Sequence, residues 1–558
     1  MTLCGEKKCL ATGYFLSAGV INYQKAKKTH DMNALKTVLL SAALALIPLI
    51  SHAQLKEQSG GKEAIRKLQL AEMAISNLYV DEVDDNILVE DAIRGMLEKL
   101  DPHSSYTTAK ETKSLNEPLN GSFEGVGIQY NMIDDTLVVV QTISKGPSEK
   151  VGIMPGDRFV TVNDTAIAGV RISTSDIAKR LRGPKGTKVR LGVARRGVPD
   201  MLYFTVVRDK IPIHTIDAKY MITPKTGYIC IGSFGANTYG EFMAAVAELA
   251  EQGMESLIID LQNNGGGYLQ SAVQITSEFL ASGDLVVYTQ GRSMKRHDYY
   301  VPADGRLKDI KVCVLINEYS ASASEIFSGA LQDQDRAVIV GRRSFGKGLV
   351  QRPIEFDDGS MMRLTVSHYY TPSGRCIQKP FVKGEKEDYA RDIERRLKRG
   401  ELFSPDSIHF ADSLRCTTLR KGRTVYGGGG IMPDVFVPLD TTQFTSFYRS
   451  VVSRSLIINA SMRYVDTHRK QLRRDYPSFE SFLESFDIPQ TVIDGILSEA
   501  DKLGVKPKDN DELANSLPMM RLQLKALVAR DIWDMNEYYH VINASNRIVQ
   551  KGLEVIGN

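Results

Sequence analysis

Three serines in the run Ser320-Ala321-Ser322-Ala323-Ser324 follow the apolar stretch VCVLIN and open a helix expected over 321–333. A hydroxyl at a strand-to-helix turn lies among the free N–H groups of the first helical turn, at the positive end of the helix dipole. Such a serine can attack a carbonyl carbon, and the N–H of the residue after it, Ala323 for Ser322, can hold the oxyanion that develops. The plainer use of serines at a helix start is capping. What favours chemistry is Ser344-Phe345-Gly346-Lys347-Gly348-Leu349-Val350-Gln351, which places Lys347 in a glycine-flanked turn just after the strand-like AVIVG. On the surface that lysine is a solvated charge. Buried beside Ser322, it loses its proton more readily and becomes a neutral amine able to accept the serine proton. Gln351 can orient the amine through its amide oxygen without adding charge. The turn Gly265-Gly266-Gly267, which closes QNNGGG after SLIIDL, offers a second oxyanion N–H, because glycine lets backbone approach a substrate closely.

Other chemistries find less support. The sequence has no GxSxG elbow, no HExxH, no GxxxxGK[ST] and no CxxC pair. Of its nine histidines, His30 and His52 lie in the amino-terminal segment and the others are scattered, so a Ser-His-Asp triad would have to be assembled in space. Asp333 shares a helix face with Ser322 but stands about 16 Å along the axis, too far to hydrogen-bond it, and reads as structural support near the site.

The elements that must position these residues belong to a chain of 558 residues, long enough for three or four domains of about 150 residues. Hydrophobic residues at 42% and charged residues at 25% exclude a disordered, collagen-like or polytopic membrane chain. The net charge of +3 gives no reason to expect a nucleic-acid partner. Six cysteines are too few for a disulfide scaffold; Cys230, Cys313, Cys376 and Cys416 read as buried or free thiols. Lys36, the apolar run 38–50 and Ser51-His52-Ala53 read as a signal peptide over 32–53, cleaved before Gln54. No cysteine follows to make a lipoprotein, so an exported, periplasmic location is expected, and residues 1–31 read as an upstream extension, either a misread start or a dispensable segment before Met32.

Residues 54–118 are expected to be helical, with apolar stripes at Ala64, Leu68, Ala71, Ile75 and Leu78 and at Val89, Ile93, Met96, Leu97 and Leu100 that read as packing faces. Residues 119–209 change to period two: GVGIQY, TLVVVQT, DRFVTVN, KVRLGVA and LYFTVV are strands, with short helices near 147–151 and 173–181. Residues 210–445 alternate strand and helix as an α/β layered core, with functional loops expected at the carboxyl ends of its strands. A charged insertion, 381–430, is amphipathic around Tyr389, Ile393 and Leu397. Residues 446–558 return to helix, with Phe479, Phe482, Leu483 and Phe486 on one face and Met520, Leu524, Leu527 and Val528 on another.

The order of the β module and its phrase GPSEKVGIMPGDRFVTVND resemble a PDZ domain. The resemblance implies that a peptide's carboxyl end adds to the module as a strand, its carboxylate held by a loop that would be Glu124-Gly125-Val126-Gly127-Ile128. SASASEI at 320–326, FGKGLVQ at 345–351, YYTPSGRCIQ at 369–378 and GGGIMPD at 428–434 together resemble the carboxyl-terminal processing peptidases, or tail-specific proteases. AIRGMLEKLDPHSSY at 92–106 and the PDZ-like module fit the same family in the same order, and the match runs over residues 60–440. This resemblance implies a protease core of crotonase- and Clp-protease-like ββα units, with an inserted PDZ-like domain and helical terminal regions. It implies Ser322 as nucleophile, Lys347 as general base, Gln351 as its orienting partner, and an oxyanion hole from the N–H groups of Gly267 and Ala323. Gln262-Asn263-Asn264-Gly265 stands where many members carry an Arg-Gly-Asn-Pro type of turn. Unstructured protein tails are the expected substrates and a homodimer through the helical terminal regions the expected assembly; no metal, nucleotide or nucleic acid is called for. A non-catalytic peptide-binding scaffold, a crotonase-like acyl-CoA enzyme and a His-dependent serine hydrolase are the alternatives.

Overall fold

A computed structural model describes residues 59–557. The expected signal peptide, 32–53, its cleavage point before Gln54 and the extension 1–31 lie outside the described residues. The chain forms two compact units, one ending at Val89 and the other beginning at Glu90.

The first unit contains the helix Ser59–Leu78 and the start of the helix Asp85–Glu98. The first apolar stripe expected to pack is largely solvent-exposed: Leu68 is 50% exposed, Ile75 39% and Leu78 81%. The periodicity correctly marks a helix, but nothing within its own unit covers that face.

The second unit is built on a six-stranded sheet in the order Ile216–Met221, Thr226–Ile231, Ser256–Asp260, Lys311–Ile316, Val338–Gly341, Val435–Phe436. The first pair is antiparallel and the others parallel. Successive side chains on a strand point to opposite faces, and both faces are buried here. Ile229, Ile231, Leu257, Ile259 and Val314 pack with Phe242 and Phe327 from the helices Thr238–Glu251 and Ala323–Asp333 and with Phe279, just past the helix Leu269–Ser277. Tyr228, Cys230, Ile258, Cys313 and Leu315 face the other way, where Ile548, Val549 and Ile556 of the carboxyl-terminal helix Arg547–Gly557 cover them. The near-continuous apolar runs of these strands follow from that double burial. All four described cysteines are free thiols.

LVVYTQ does not join this sheet. As Leu285–Gln290 it enters a second, antiparallel sheet with His297–Tyr300 and Met361–Tyr370; Leu349–Glu355 and Ser105–Thr107 also pair with Met361–Tyr370. The element was legible as a strand, but its partners lie far along the chain. Through this sheet the lysine segment and the DPHSSY segment become neighbours.

The β module matches its expected strands: Ile128–Ile133, Thr136–Thr142, Arg158–Val162, Lys188–Ala194 and Leu202–Val207 form one sheet in that order, with helices Pro147–Lys150 and Thr174–Leu181. It joins the core through one antiparallel pair, Ser122–Gly125 with Asp209–Pro212. The carboxyl-terminal helices Ser446–Ser453 to Asn510–Ile532 bury Phe482, Phe486, Met520, Leu524, Leu527 and Val528, as their stripes predict. One of them, Leu456–Asp475, meets the β module through Asp466, paired with Arg158 at 2.7 Å. In the insertion, Tyr389 is buried but Leu397 is exposed, and the side chain that turns inward is Arg396, 1% exposed. Its guanidinium donates to the carbonyl oxygens of Ser344 and Phe345 at 2.7 and 3.0 Å, so a cation replaces the apolar anchor read from the stripe.

No helix among the described residues is long and apolar enough to cross a membrane.

Candidate active site

The loops after two neighbouring parallel strands, Ser256–Asp260 and Lys311–Ile316, meet at one place. The glycine loop is pinned by Asn264, fully buried, whose side chain donates to Ile231 O at 2.6 Å and accepts from Gly266 N at 2.8 Å. Its backbone oxygen accepts from Ala321 N at 3.0 Å and from the Ser324 hydroxyl at 2.9 Å. The Ser320 hydroxyl donates to Leu261 O at 2.7 Å. Two of the three serines are therefore fully buried ties between the loops. Ser322 alone of the three opens onto a cavity of about 370 Å³.

Ser322 has φ +57° and ψ −112° just before the helix Ala323–Asp333. A positive φ on a non-glycine residue persists only where the surroundings impose it, and such outliers cluster at functional sites. What imposes it is visible. A Cβ on Gly266 would lie 2.8 Å from Ser322 Cβ, 2.9 Å from Ala323 N and 2.7 Å from Ala321 O, so only glycine lets the two turns pack. Gly267 bridges Phe234 through its neighbours: Phe234 N donates to Gly266 O at 3.0 Å and Tyr268 N to Phe234 O at 2.6 Å. That pattern turns the N–H of Gly267 away from the ladder, and Gly267, Ala323 and Ser322 line one cavity together. The N–H of Ala323 stands at the first helical position, where no preceding turn supplies an acceptor.

Lys347, Gln351, Arg363 and Tyr369 line the same cavity. The Lys347 amine donates to Gln351 Oε1 at 3.2 Å, and Gln351 Nε2 donates to the backbone oxygen of His103. Burial holds the lysine's pKa below its ordinary value; the Arg363 guanidinium pushes it the same way, while Glu325 and Asp101 oppose. Sequence reading assigned no role to Glu325 or Tyr369, and both bind the two loops together. The fully buried Glu325 accepts at Oε2 from Ser322 N (2.8 Å) and Lys347 N (2.9 Å). At Oε1 it accepts from Gly346 N (2.7 Å) and the Ser344 hydroxyl (2.5 Å). The Tyr369 hydroxyl lies within hydrogen-bonding reach of the carbonyl oxygens of Ser322, at 3.1 Å, and of Lys347. Glu325 was hidden because an acid in a first helical turn is ordinary, and Tyr369 because its hydroxyl's partners are distant in sequence.

Asp333 lies away from the cavity. It forms a completely buried ion pair with Arg375 at 2.6 Å and accepts from Ser373 N at 2.9 Å, holding the TPSGR turn. Among the described residues, no histidine lines the cavity. Among the described residues, no group of three or more His, Cys, Asp or Glu side chains is arranged to hold a metal ion. In the β module, Val126 O accepts from Ser148 N at 3.1 Å and Gly127 O from Ile143 N at 3.1 Å, and Gly127 has φ +75°. Among the described residues no hydrogen bond engages the N–H groups of Val126 or Gly127. Gly125 ends the entering strand, Ile128 begins the next, and Ile128–Ile133 is an edge of its sheet.

A two-faced, mostly parallel sheet carrying a serine turn, a glycine loop and a half-buried lysine around one cavity describes a serine peptidase. The chain matches Peptidase family S41 over residues 225–389, a PDZ domain over 138–195 and the activating protease CtpB N-terminal domain over 41–112. Residues 447–534 match a family of unknown function, DUF8443. It is 35% identical to the carboxy-terminal processing protease CtpB of Bacillus subtilis, over 63% of this chain and 72% of the relative. It is 37% identical to a carboxy-terminal-processing protease of Bartonella bacilliformis, over 61% of this chain and 78% of the relative. A solved structure of a photosystem II D1 C-terminal processing protease shares 26% identity, covering 67% of this chain and 87% of that one, with a TM-score of 0.35. The chain belongs to the carboxy-terminal processing protease family of S41 serine peptidases.

Proposed function

We propose that this chain is an exported endopeptidase that cleaves proteins near their carboxyl termini with a Ser322–Lys347 dyad. The observation that carries the reading is that Ser322, the one serine of its run facing the cavity, shares that cavity with a lysine whose charge is disfavoured by burial. In this scheme neutral Lys347 takes the proton from Ser322 Oγ as the oxygen attacks the scissile carbonyl carbon. The N–H groups of Gly267 and Ala323 hold the oxyanion. The carbon–nitrogen bond breaks as the lysine ammonium protonates the leaving amine. Water, deprotonated by the same amine, then attacks the acyl ester; the proton returns to Ser322 Oγ and a new carboxyl terminus leaves. Gln351 keeps the amine directed.

Substrate tails are selected by the PDZ-like domain, residues 119–209, and cut in the core, 210–445. The free N–H groups of Val126 and Gly127 support a carboxylate site in the loop spanning Gly125 and Ile128, and the edge strand Ile128–Ile133 supports addition of the tail as a strand. The exposed apolar face of Ser59–Leu78 supports a homodimer formed through terminal helices. The signal over 32–53 supports export to the periplasm. The reading includes neither a nucleic-acid partner nor a metal or nucleotide cofactor.

The test is incubation of the mature protein with an unfolded substrate bearing a free or an amidated carboxyl end, beside a Ser322→Ala control. Cleavage of the free-ended substrate, slower cleavage of the amidated one and none by the control are expected. Equal cleavage of both substrates would remove tail recognition, and an active control would remove the nucleophile.

A further inference from the structure

The motif LDPHSSY has so far no part in the chemistry, although its turn lies against the lysine's partner. Ser105–Thr107 pairs with Met361–Tyr370, Ser105 opposite Arg363, and Leu349–Glu355 pairs with the same strand, Gln351 opposite Thr365. The turn before Ser105 is thereby brought over Gln351. Asp101, buried, shapes it: Oδ1 accepts from His103 N at 2.8 Å and Ser104 N at 2.9 Å, and Oδ2 from the Ser104 hydroxyl at 2.5 Å. Two bonds then lock the turn to the strand, from the Thr365 hydroxyl to Asp101 Oδ1 at 3.0 Å and from Thr365 N to Ser104 Oγ at 3.1 Å. The product is one main-chain acceptor, His103 O, presented to Gln351 Nε2.

That acceptor decides which end of the amide meets the lysine. A carboxamide has a donor end and an acceptor end of nearly the same shape. With Nε2 engaged by His103 O, only Oε1 remains for the lysine nitrogen. Without it the amide can rotate and present its NH₂ group, which opposes the ammonium donor to donor and, toward the neutral amine, donates into the lone pair that must take the serine proton. The His103 ring has a separate partner, the Tyr389 hydroxyl at 2.9 Å, and burial together with the neighbouring Lys347 charge lowers its pKa to about 4, so it stays neutral.

We propose that the Asp101-Pro102-His103-Ser104 turn is a positioning element for the general base, with Asp101 setting the His103 carbonyl that orients Gln351, which in turn directs Lys347. This rests on the reading of Lys347 as the base. Asp101 is a positioning residue: it directs the amine through Gln351, while its charge acts on Lys347 only by shifting the lysine's titration.

The test is a double-mutant cycle on the full-length mature enzyme, with kcat and KM measured on an unfolded free-ended substrate. Asp101→Ala is expected to lower kcat about 10-fold with KM within about 2-fold, the signature of a misdirected catalytic group. Asp101→Asn keeps an acceptor for the two turn N–H groups and is expected to recover most of that loss. In a Gln351→Ala background, Asp101→Ala is expected to change kcat on the pH-independent plateau, where the Asp101 charge no longer alters the lysine's protonation, by less than about 2-fold, because the positioning route is gone. Thr365→Val, which removes one tie to Asp101 with little change of shape, should show a smaller loss with the same dependence on Gln351, and serves if Asp101→Ala does not fold. An equal loss in both backgrounds, a loss confined to KM, or an unchanged kcat in the folded variants overturns the proposal. Ser322→Ala or Lys347→Ala that still cleaves contradicts the dyad itself, an outcome distinct from any in the Asp101 series.

Discussion

The backbone N–H groups of Ser322 and Lys347 donate to one and the same oxygen, Oε2 of Glu325, at 2.8 and 2.9 Å. Two loops from different strands are thus referenced to a single buried carboxylate, and the Tyr369 hydroxyl repeats the tie on their carbonyl side. Their separation is fixed by the main chain, so the long lysine side chain has only its own torsions left to restrict. Gln351 does that.

Glu325→Ala would leave four donors without their acceptor, each at a cost of about 1–3 kcal/mol when buried, and should lower the melting temperature sharply. Glu325→Gln keeps one carbonyl oxygen but turns the other acceptor into a donor. It should fold, by circular dichroism, and lose about 100-fold in kcat through displacement of the two loops. A folded Glu325→Gln enzyme with wild-type kcat would show that the shared carboxylate is dispensable.

The acid limb of the pH–rate profile should report Lys347, which must be neutral to act. Activity falls as pH drops through a pKa that burial and Arg363 hold below the ordinary lysine value. Arg363→Gln removes a repelling positive charge, raises that pKa and should move the limb to higher pH. Asp101→Asn removes an attracting negative charge and should move it to lower pH. Shifts of the opposite sign, or none, would place the titrating group elsewhere.

Asp333 should matter for stability and not for acyl transfer. Asp333→Asn leaves the Arg375 guanidinium buried without its counter-charge, and breaking such a pair typically costs about 3–5 kcal/mol. Denaturant unfolding should show that loss, while the folded fraction should still acylate at the wild-type rate per active site. Loss of acylation at undiminished stability would give Asp333 a chemical role.

Gly127→Val tests the carboxylate loop. Its φ of +75° disfavours any side chain, and a Cβ would lie 3.0 Å from Ile211 Cδ1 and 3.1 Å from Pro147 Cδ. Cleavage should lose its preference for a free over an amidated tail, measured as the ratio of kcat/KM. An undiminished ratio would move tail recognition to another surface.

Much of this architecture is local and was legible from the residues alone. Lys347 stands out because two glycines flank it after an apolar strand, and the β module because period two repeats between Gly, Pro and Asn turns. Long-range pairing was not legible. Leu285–Gln290 follows a helix like the parallel strands around it, yet its partners are Met361–Tyr370 and His297–Tyr300. For the same reason the sequence showed DPHSSY only as part of a run resembling the family and not as a neighbour of Gln351. Period also cannot tell a face that packs within the chain from one that does not, as in Ser59–Leu78, whose stripe is exposed.

The most direct test of the dyad is the rate at which a serine-directed phosphonate modifies Ser322 across pH, in the wild type and in Lys347→Ala. Modification should rise in the wild type through a single ionisation below the ordinary lysine pKa. In Lys347→Ala, folded by circular dichroism, it should fall by about a thousandfold or more and lose that ionisation. A Lys347→Ala enzyme modified at the wild-type rate with the same profile would contradict the account.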